Sequence, residues 1–156
     1  MNKKKIFEAR EITGGCTEGD VLKSEEPFMF AHGVDPKTGA IIDRKSELYK
    51  KNMKDTIFIF PNSKGSTTGS MWFLETIRRG NAPKAIINIE TEMIIATGAI
   101  LGELIYGKKV LIIDRISKEF TRNIKTGEHI IIKTKKEEIQ IEKINLKKHR
   151  TFVLAQ

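Results

Sequence analysis

The feature that most limits how this chain can fold is an alternation of hydrophobic periods through its middle. Thr56 to Phe60 is an unbroken β-branched and aromatic run, closed by Pro61, and it reads as a strand covered on both faces. Met71 to Arg79 then repeats Phe73, Leu74 and Ile77 at helical spacing, leaves Glu75, Arg78 and Arg79 for water, and stops at Gly80. Ala85 to Ile89 is a second apolar strand. Thr91 caps a following helix, Glu92 to Leu104, that is apolar nearly all round and is therefore expected to be buried. Gly98 and Gly102 cost this helix propensity, and with Ala96 and Ala99 they leave room for another backbone, most simply by close packing of the helix on the sheet. Val110 to Ile113 completes a β-α-β-α-β series, the pattern of right-handed crossovers onto a parallel sheet.

The two ends are β-rich. Lys5 to Ile12 and Asp20 to Ser24 read as short strands around a Gly14-Gly15 turn, and Pro27 to Ala31 alternates Phe28 with Phe30 as a strand would. Gly33-Val34-Asp35-Pro36-Lys37-Thr38-Gly39 is a turn-rich loop leading to a short Ala40 to Ile42 strand. After Ser117 the pattern returns to strands, with Glu128 to Lys133 and Glu138 to Ile144 joined by a lysine-rich turn. Residues 145–156 read either as a loose tail or, from His149 to Gln156, as a small extra strand. At 156 residues the expectation is a single α/β domain with a parallel core, flanking strands and a helical layer.

Composition removes several function classes. No apolar run approaches the roughly 20 residues of a membrane span. The basic start is followed by Glu8, Arg10 and Glu11 where the apolar part of a signal peptide would stand, so a cytoplasmic location is expected. A net charge of +8 suits nucleic acid, a small anion or an acidic protein. The lysines lie in scattered blocks without interleaved aromatics for base stacking, which favours a solvated basic surface over nucleic-acid binding. Cys16, the single cysteine, cannot by itself hold an iron-sulfur cluster or a zinc ion, and His129 and His149 show no metal-ligand spacing.

The chemistry-bearing segment is Lys64-Gly65-Ser66-Thr67-Thr68-Gly69-Ser70, between a buried strand and a helix at the carboxyl edge of the inferred sheet. A helix start offers free N–H groups and partial positive charge to a carboxylate, a phosphate or a developing alkoxide. Gly65 and Gly69 admit close approach, Ser66, Thr67, Thr68 and Ser70 carry hydroxyls, and Lys64 adds a full charge. The order of residues is neither a Walker A loop nor a Gly-x-Ser-x-Gly nucleophile elbow. The same residues also make an ordinary helix cap, and on their own they do not choose between the two uses.

Three stretches taken together, Phe30-Ala31-His32-Gly33-Val34-Asp35-Pro36-Lys37-Thr38-Gly39, Pro61 to Ser70 and Arg79-Gly80-Asn81-Ala82-Pro83-Lys84-Ala85-Ile86-Ile87, resemble in order and spacing the aconitase X swivel-domain family. The resemblance covers roughly Thr13 to Asp114. It implies a swivelling β/β/α domain that pairs with a large subunit carrying an iron-sulfur cluster. It also implies dehydration of a small anionic hydroxy acid, either mevalonate 5-phosphate or cis-3-hydroxy-L-proline. By motif position Ser66 is the proton acceptor, with the partner's iron as Lewis acid. Lys64, Gly65, Thr67, Thr68, Gly69 and Ser70 are then candidate substrate contacts. His32, where many members have glycine, and Asp35 each have two readings: a substrate contact, or a structural donor and an Asx-turn beside Pro36. The competing function is a non-catalytic regulatory or scaffolding swivel that keeps the docking face and leaves the chemistry to its partner.

Overall fold

The computed structural model of the chain describes residues 4–135 and 138–144; the expected tail and the middle of the lysine-rich turn lie outside them. Two short strands, β1 (Lys4–Glu8) and β2 (Arg10–Thr13), precede a longer β3 (Cys16–Lys23). The central series is β4 (Ile57–Ile59), α1 (Thr68–Arg78), β5 (Ala85–Ile87), α2 (Met93–Tyr106) and β6 (Leu111–Asp114). A short α3 (Lys118–Asn123) leads to β7 (His129–Lys135) and β8 (Glu138–Ile144). The strands form a ribbon in the order β1-β8-β7-β3-β4-β5-β6-β2.

Strand β3 joins two sheets. Its first half, Cys16 to Asp20, pairs antiparallel with β7, while Val21 to Lys23 pairs parallel with β4. The strands β4, β5 and β6 are parallel, with Phe58, Ile86 and Ile112 in register. Alternation then sorts their side chains. Phe58, Ile86 and Ile112 enter one core with Phe73, Ile77, Ile95 and Ala99 from the two long helices. Ile57, Ile59, Ile87, Leu111 and Ile113 enter a second core with Ile130, Ile132, Ile139 and Ile141 from the antiparallel sheet. Burial on both faces explains the continuous apolar runs of the three central strands. The result is a β/β/α stack: antiparallel sheet, parallel sheet, helices. No helix among the described residues is long and apolar enough to cross a membrane.

Several local expectations change. The Lys5 to Ile12 segment is not one strand: it divides around buried Ala9, so that β1 pairs with β8 and β2 crosses to pair with β6. Pro27 to Ala31 forms no strand, because Phe28 and Phe30 both turn into an aromatic cluster with Phe58, Phe60 and Phe73, at centroid separations from 4.6 to 6.1 Å. Ala40 to Ile42 makes only isolated bridges, to Val34 and Asn52. Helix α1 begins three residues earlier than expected, and α3 follows Ser117, whose side chain accepts the Phe120 N–H. Cys16 is an exposed residue at the start of β3.

Helix α2 is only half covered. Ile95, Gly98, Ala99 and Gly102 are buried, yet Met93 is 79% and Leu104 76% exposed, since nothing among the described residues packs on their side. Its glycines serve α1 rather than the sheet. A β-carbon on Gly98 would lie 2.9 Å from the Phe73 ring and 3.0 Å from the Ser70 carbonyl, and one on Gly102 would lie 2.8 Å from Ile77. Gly98→Ala is therefore expected to lower stability by about 1–3 kcal/mol through overpacking, more than the roughly 1 kcal/mol of helix propensity it gains. Urea melts of the two proteins measure the difference.

Candidate functional site

The loops leaving β4, β5 and β6 emerge on one edge of the parallel sheet and are laced together there. Phe60 N–H donates to the Ile87 carbonyl at 3.2 Å, buried Asn88 donates its side-chain amide to the Phe60 carbonyl at 2.9 Å, and Ile89 N–H reaches the Pro61 carbonyl at 2.8 Å. The Thr91 N–H donates to the Asp114 carboxylate at 2.7 Å. Thr91 therefore works before the helix rather than as its cap: α2 opens at Glu92, and the Thr91 hydroxyl bonds the Asn88 side chain.

On this edge the loop after β4 is held from two sides. A parallel bridge joins Phe28 to Ser63, with Phe28 N–H donating to the Asn62 carbonyl at 3.0 Å and Lys64 N–H to the Phe28 carbonyl at 2.9 Å. The buried Ser63 hydroxyl donates to the Glu92 carboxylate at 2.8 Å, fastening the loop to the start of α2. Gly65 takes φ 110°, a left-handed conformation that brings the chain against the Met29 side chain.

Ser66 follows, exposed, just before α1. Its carbonyl accepts the Gly69 N–H at 2.9 Å, and the Thr67 carbonyl accepts both the Ser70 N–H at 3.1 Å and the Ser70 hydroxyl at 2.7 Å. Among the described residues the hydroxyls of Ser66, Thr67 and Thr68 form no hydrogen bond, and the Thr67 and Thr68 N–H groups have no backbone acceptor. The sequence-derived loop thus divides. Lys64, Gly65, Ser66, Thr67 and Thr68 face outward, whereas Gly69 is buried against Ile94 and the Ser70 hydroxyl is engaged inside the first turn.

The second loop lies beside the first. His32 is exposed with φ 60°, its ring centroid 4.5 Å from that of Trp72. Trp72 donates its Nε1–H to the Val34 carbonyl at 2.7 Å. Asp35 is a turn builder: its carboxylate accepts the Lys37 N–H at 3.0 Å and the Thr38 hydroxyl at 2.9 Å, which hold its pKa below the ordinary value. The structure therefore brings His32 and Ser66 onto neighbouring loops, while the Asp35 carboxylate is engaged within its own.

Beneath the site is a pair that sequence reasoning missed. Asp114, fully buried, accepts Arg10 Nε at 2.9 Å and Nη2 at 2.6 Å in addition to the Thr91 N–H. Burial pushes its carboxyl up, but the Arg10 guanidinium and the Thr91 N–H outweigh burial and hold it below the ordinary carboxylate range. An aspartate closing an apolar run was the available signal; its partner is 104 positions away.

An iron-sulfur cluster does not fit the side chains of the described residues. Among the described residues no three His, Cys, Asp or Glu groups converge to hold a metal ion. The only cysteine, Cys16, lies at the other end of β3 from Lys23, whose neighbour in β4 is Ile59 at the site edge.

This architecture matches known proteins. The model of the aconitase X swivel domain matches residues 6–141. The phosphomevalonate dehydratase small subunit of Thermococcus sibiricus is 40% identical over 136 residues, 87% of this chain and 98% of that protein. The protein of the same name from Methanosarcina mazei is 38% identical over 126 residues, 81% of this chain and 83% of its own. The crystal structure of Thermococcus kodakaraensis aconitase X in its holo-form shares the fold with a TM-score of 0.76 at 34% identity, covering 88% of this chain and 98% of that one. A β/β/α stack with both loops at its carboxyl edge, matched almost from end to end, leaves one assignment: this chain belongs to the aconitase X swivel domain family.

Proposed function

We propose that this chain is the small subunit of a phosphomevalonate dehydratase, with Ser66 as the group that takes the substrate's proton. The observation carrying this reading is the 40% identity that spans 98% of a relative bearing that name. The small-subunit part in the name fits a chain that offers an open polar edge and no cluster ligands of its own among the described residues. The iron-sulfur cluster is accordingly assigned to the large subunit.

The chemistry asked of this chain is proton removal. In a β-hydroxy acid the carbon next to the carboxylate loses its proton to the Ser66 alkoxide, which becomes the neutral hydroxyl, the C–H electrons form the new C=C bond, and hydroxide leaves from the next carbon toward the partner. A neutral serine hydroxyl is a very weak base, so the role requires groups that stabilise the negative charge of its alkoxide and so make that form accessible. The N–H groups of Thr67 and Thr68, without a backbone acceptor among the described residues, stand at the positive end of the 11-residue α1, and Lys64 lies two positions before Ser66. These groups also suit a substrate with a carboxylate and a phosphate. In this reading Gly65 and Thr68 shape the substrate-facing surface, while Gly69, Ser70 and Asp35 hold the two loops in form.

Anaerobic co-purification with the large subunit, followed by assays on mevalonate 5-phosphate and cis-3-hydroxy-L-proline, tests the proposal. The complex is expected to release water from the phosphate ester only, and the isolated chain from neither. Dehydration of the proline instead would replace the substrate. A cluster-loaded complex inert toward both, or one equally active without this chain, would favour the scaffolding role.

A further inference from the structure

Trp72 has no part in the chemistry above, yet it touches the second loop twice, by one hydrogen bond and one ring contact. It is the only tryptophan in the chain. Its Nε1–H holds the Val34 carbonyl at 2.7 Å across 38 positions of sequence, and its ring faces the His32 imidazole at 4.5 Å with the planes 55° apart. His32 has φ 60°, a conformation that a residue with a β-carbon keeps only when its surroundings hold it. Next door the chain folds back so closely on Met29 that only glycine fits at position 33, since a β-carbon there would lie 1.8 Å from the Met29 carbonyl oxygen.

Both ends of this loop are therefore tied to the segment that carries Ser66. One tie is the Phe28–Ser63 bridge with the Lys64 N–H; the other is Trp72, six residues beyond Ser66 on α1. His32 is left exposed between them, with its ring tilted against that of Trp72. That is the arrangement of a side chain kept in place for an external ligand rather than for the core.

We propose that Trp72 is a positioning residue that holds the His32 imidazole on the loop neighbouring Ser66, where an imidazole N–H donates to a substrate carboxylate oxygen. The inference rests on the dehydratase reading of Ser66. No bond is made or broken at His32. As the proton leaves for Ser66, negative charge grows on the carboxylate, so the hydrogen bond strengthens toward the transition state and its loss falls on kcat more than on KM.

The test uses the reconstituted complex with mevalonate 5-phosphate. His32→Gln and Trp72→Ala are each expected to lower kcat about tenfold with KM within about twofold, and the double variant to be no slower than either, because the two act as one unit. Trp72→Phe, which keeps a ring but loses the N–H, should lie between wild type and Trp72→Ala, and it stands in if Trp72→Ala fails to fold. In the isolated chain His32→Gln should change the emission of this single tryptophan. Wild-type kcat in Trp72→Phe and Trp72→Ala, multiplicative losses in the double variant, or unchanged emission would each overturn the inference. Ser66→Ala separates the two claims: if it is inactive while the His32 and Trp72 variants turn over normally, only the positioning role is lost. If Ser66→Ala itself is active, the reading beneath it goes first.

Discussion

Ser66→Ala is expected to reduce dehydration by the reconstituted complex about a thousandfold in kcat, the middle of the range for removing a positioned acid or base. Assembly and stability should hardly change. The hydroxyl is exposed, forms no hydrogen bond among the described residues, and the Gly69 N–H that helps start α1 binds the Ser66 carbonyl, which alanine keeps. The melting curve of the isolated chain should therefore fall within about 0.5 kcal/mol of wild type. A large loss of turnover beside an unchanged fold and unchanged complex formation identifies a chemical role. Turnover within a few fold of wild type would remove Ser66 from the mechanism and return its loop to the role of a helix cap.

The sequence disclosed the parts of this molecule whose physics is local. Ile57 to Ile59, Ala85 to Ile87 and Leu111 to Ile113 are buried on both faces, so their apolar runs were readable without knowing their neighbours, and Phe73 and Ile77 marked the inner face of α1 by spacing alone. What depended on a distant partner was hidden. Phe28 and Phe30 alternate as in a strand, but the aromatic cluster under the site draws both inward. Thr68, Gly69 and Ser70 have the composition of a loop, yet packing of Gly69 against Ile94 makes them the first turn of α1. Helix α3 buries only Phe120, and one residue has no period. The candidate site was legible as a loop motif, whereas the tie from Trp72 to Val34 required the fold.

Arg10→Ala is expected to cost about 3 kcal/mol at neutral pH, toward the low end for stranding a buried charge because Arg10 is itself 40% exposed in its side chain. Asp114 would keep only the Thr91 N–H. At this chain length the loss corresponds to a fall of about 10 °C in Tm. Adding Asp114→Asn should recover part of it by removing the stranded charge. The pH dependence carries the sharper signature. In the wild type Asp114 titrates below its ordinary value of 3.8, so its contribution is complete above that pH and is lost as the pH falls through the lowered folded value. Without Arg10, the guanidinium that does most to offset burial is gone, so the variant has less of this stability to lose as the pH falls. The gap between the two proteins should therefore narrow in acid. Glu75, held at about 2 by Arg78 and Arg79, weakens both proteins alike and drops out of the difference. A gap that stays constant as the pH is taken from 7 to well below 3.8 would mean that Asp114 is not the group Arg10 serves. Because the Thr91 N–H depends on the same carboxylate, and Glu92 beside it holds Ser63, the variant should also lose turnover through a loosened Ser66 loop.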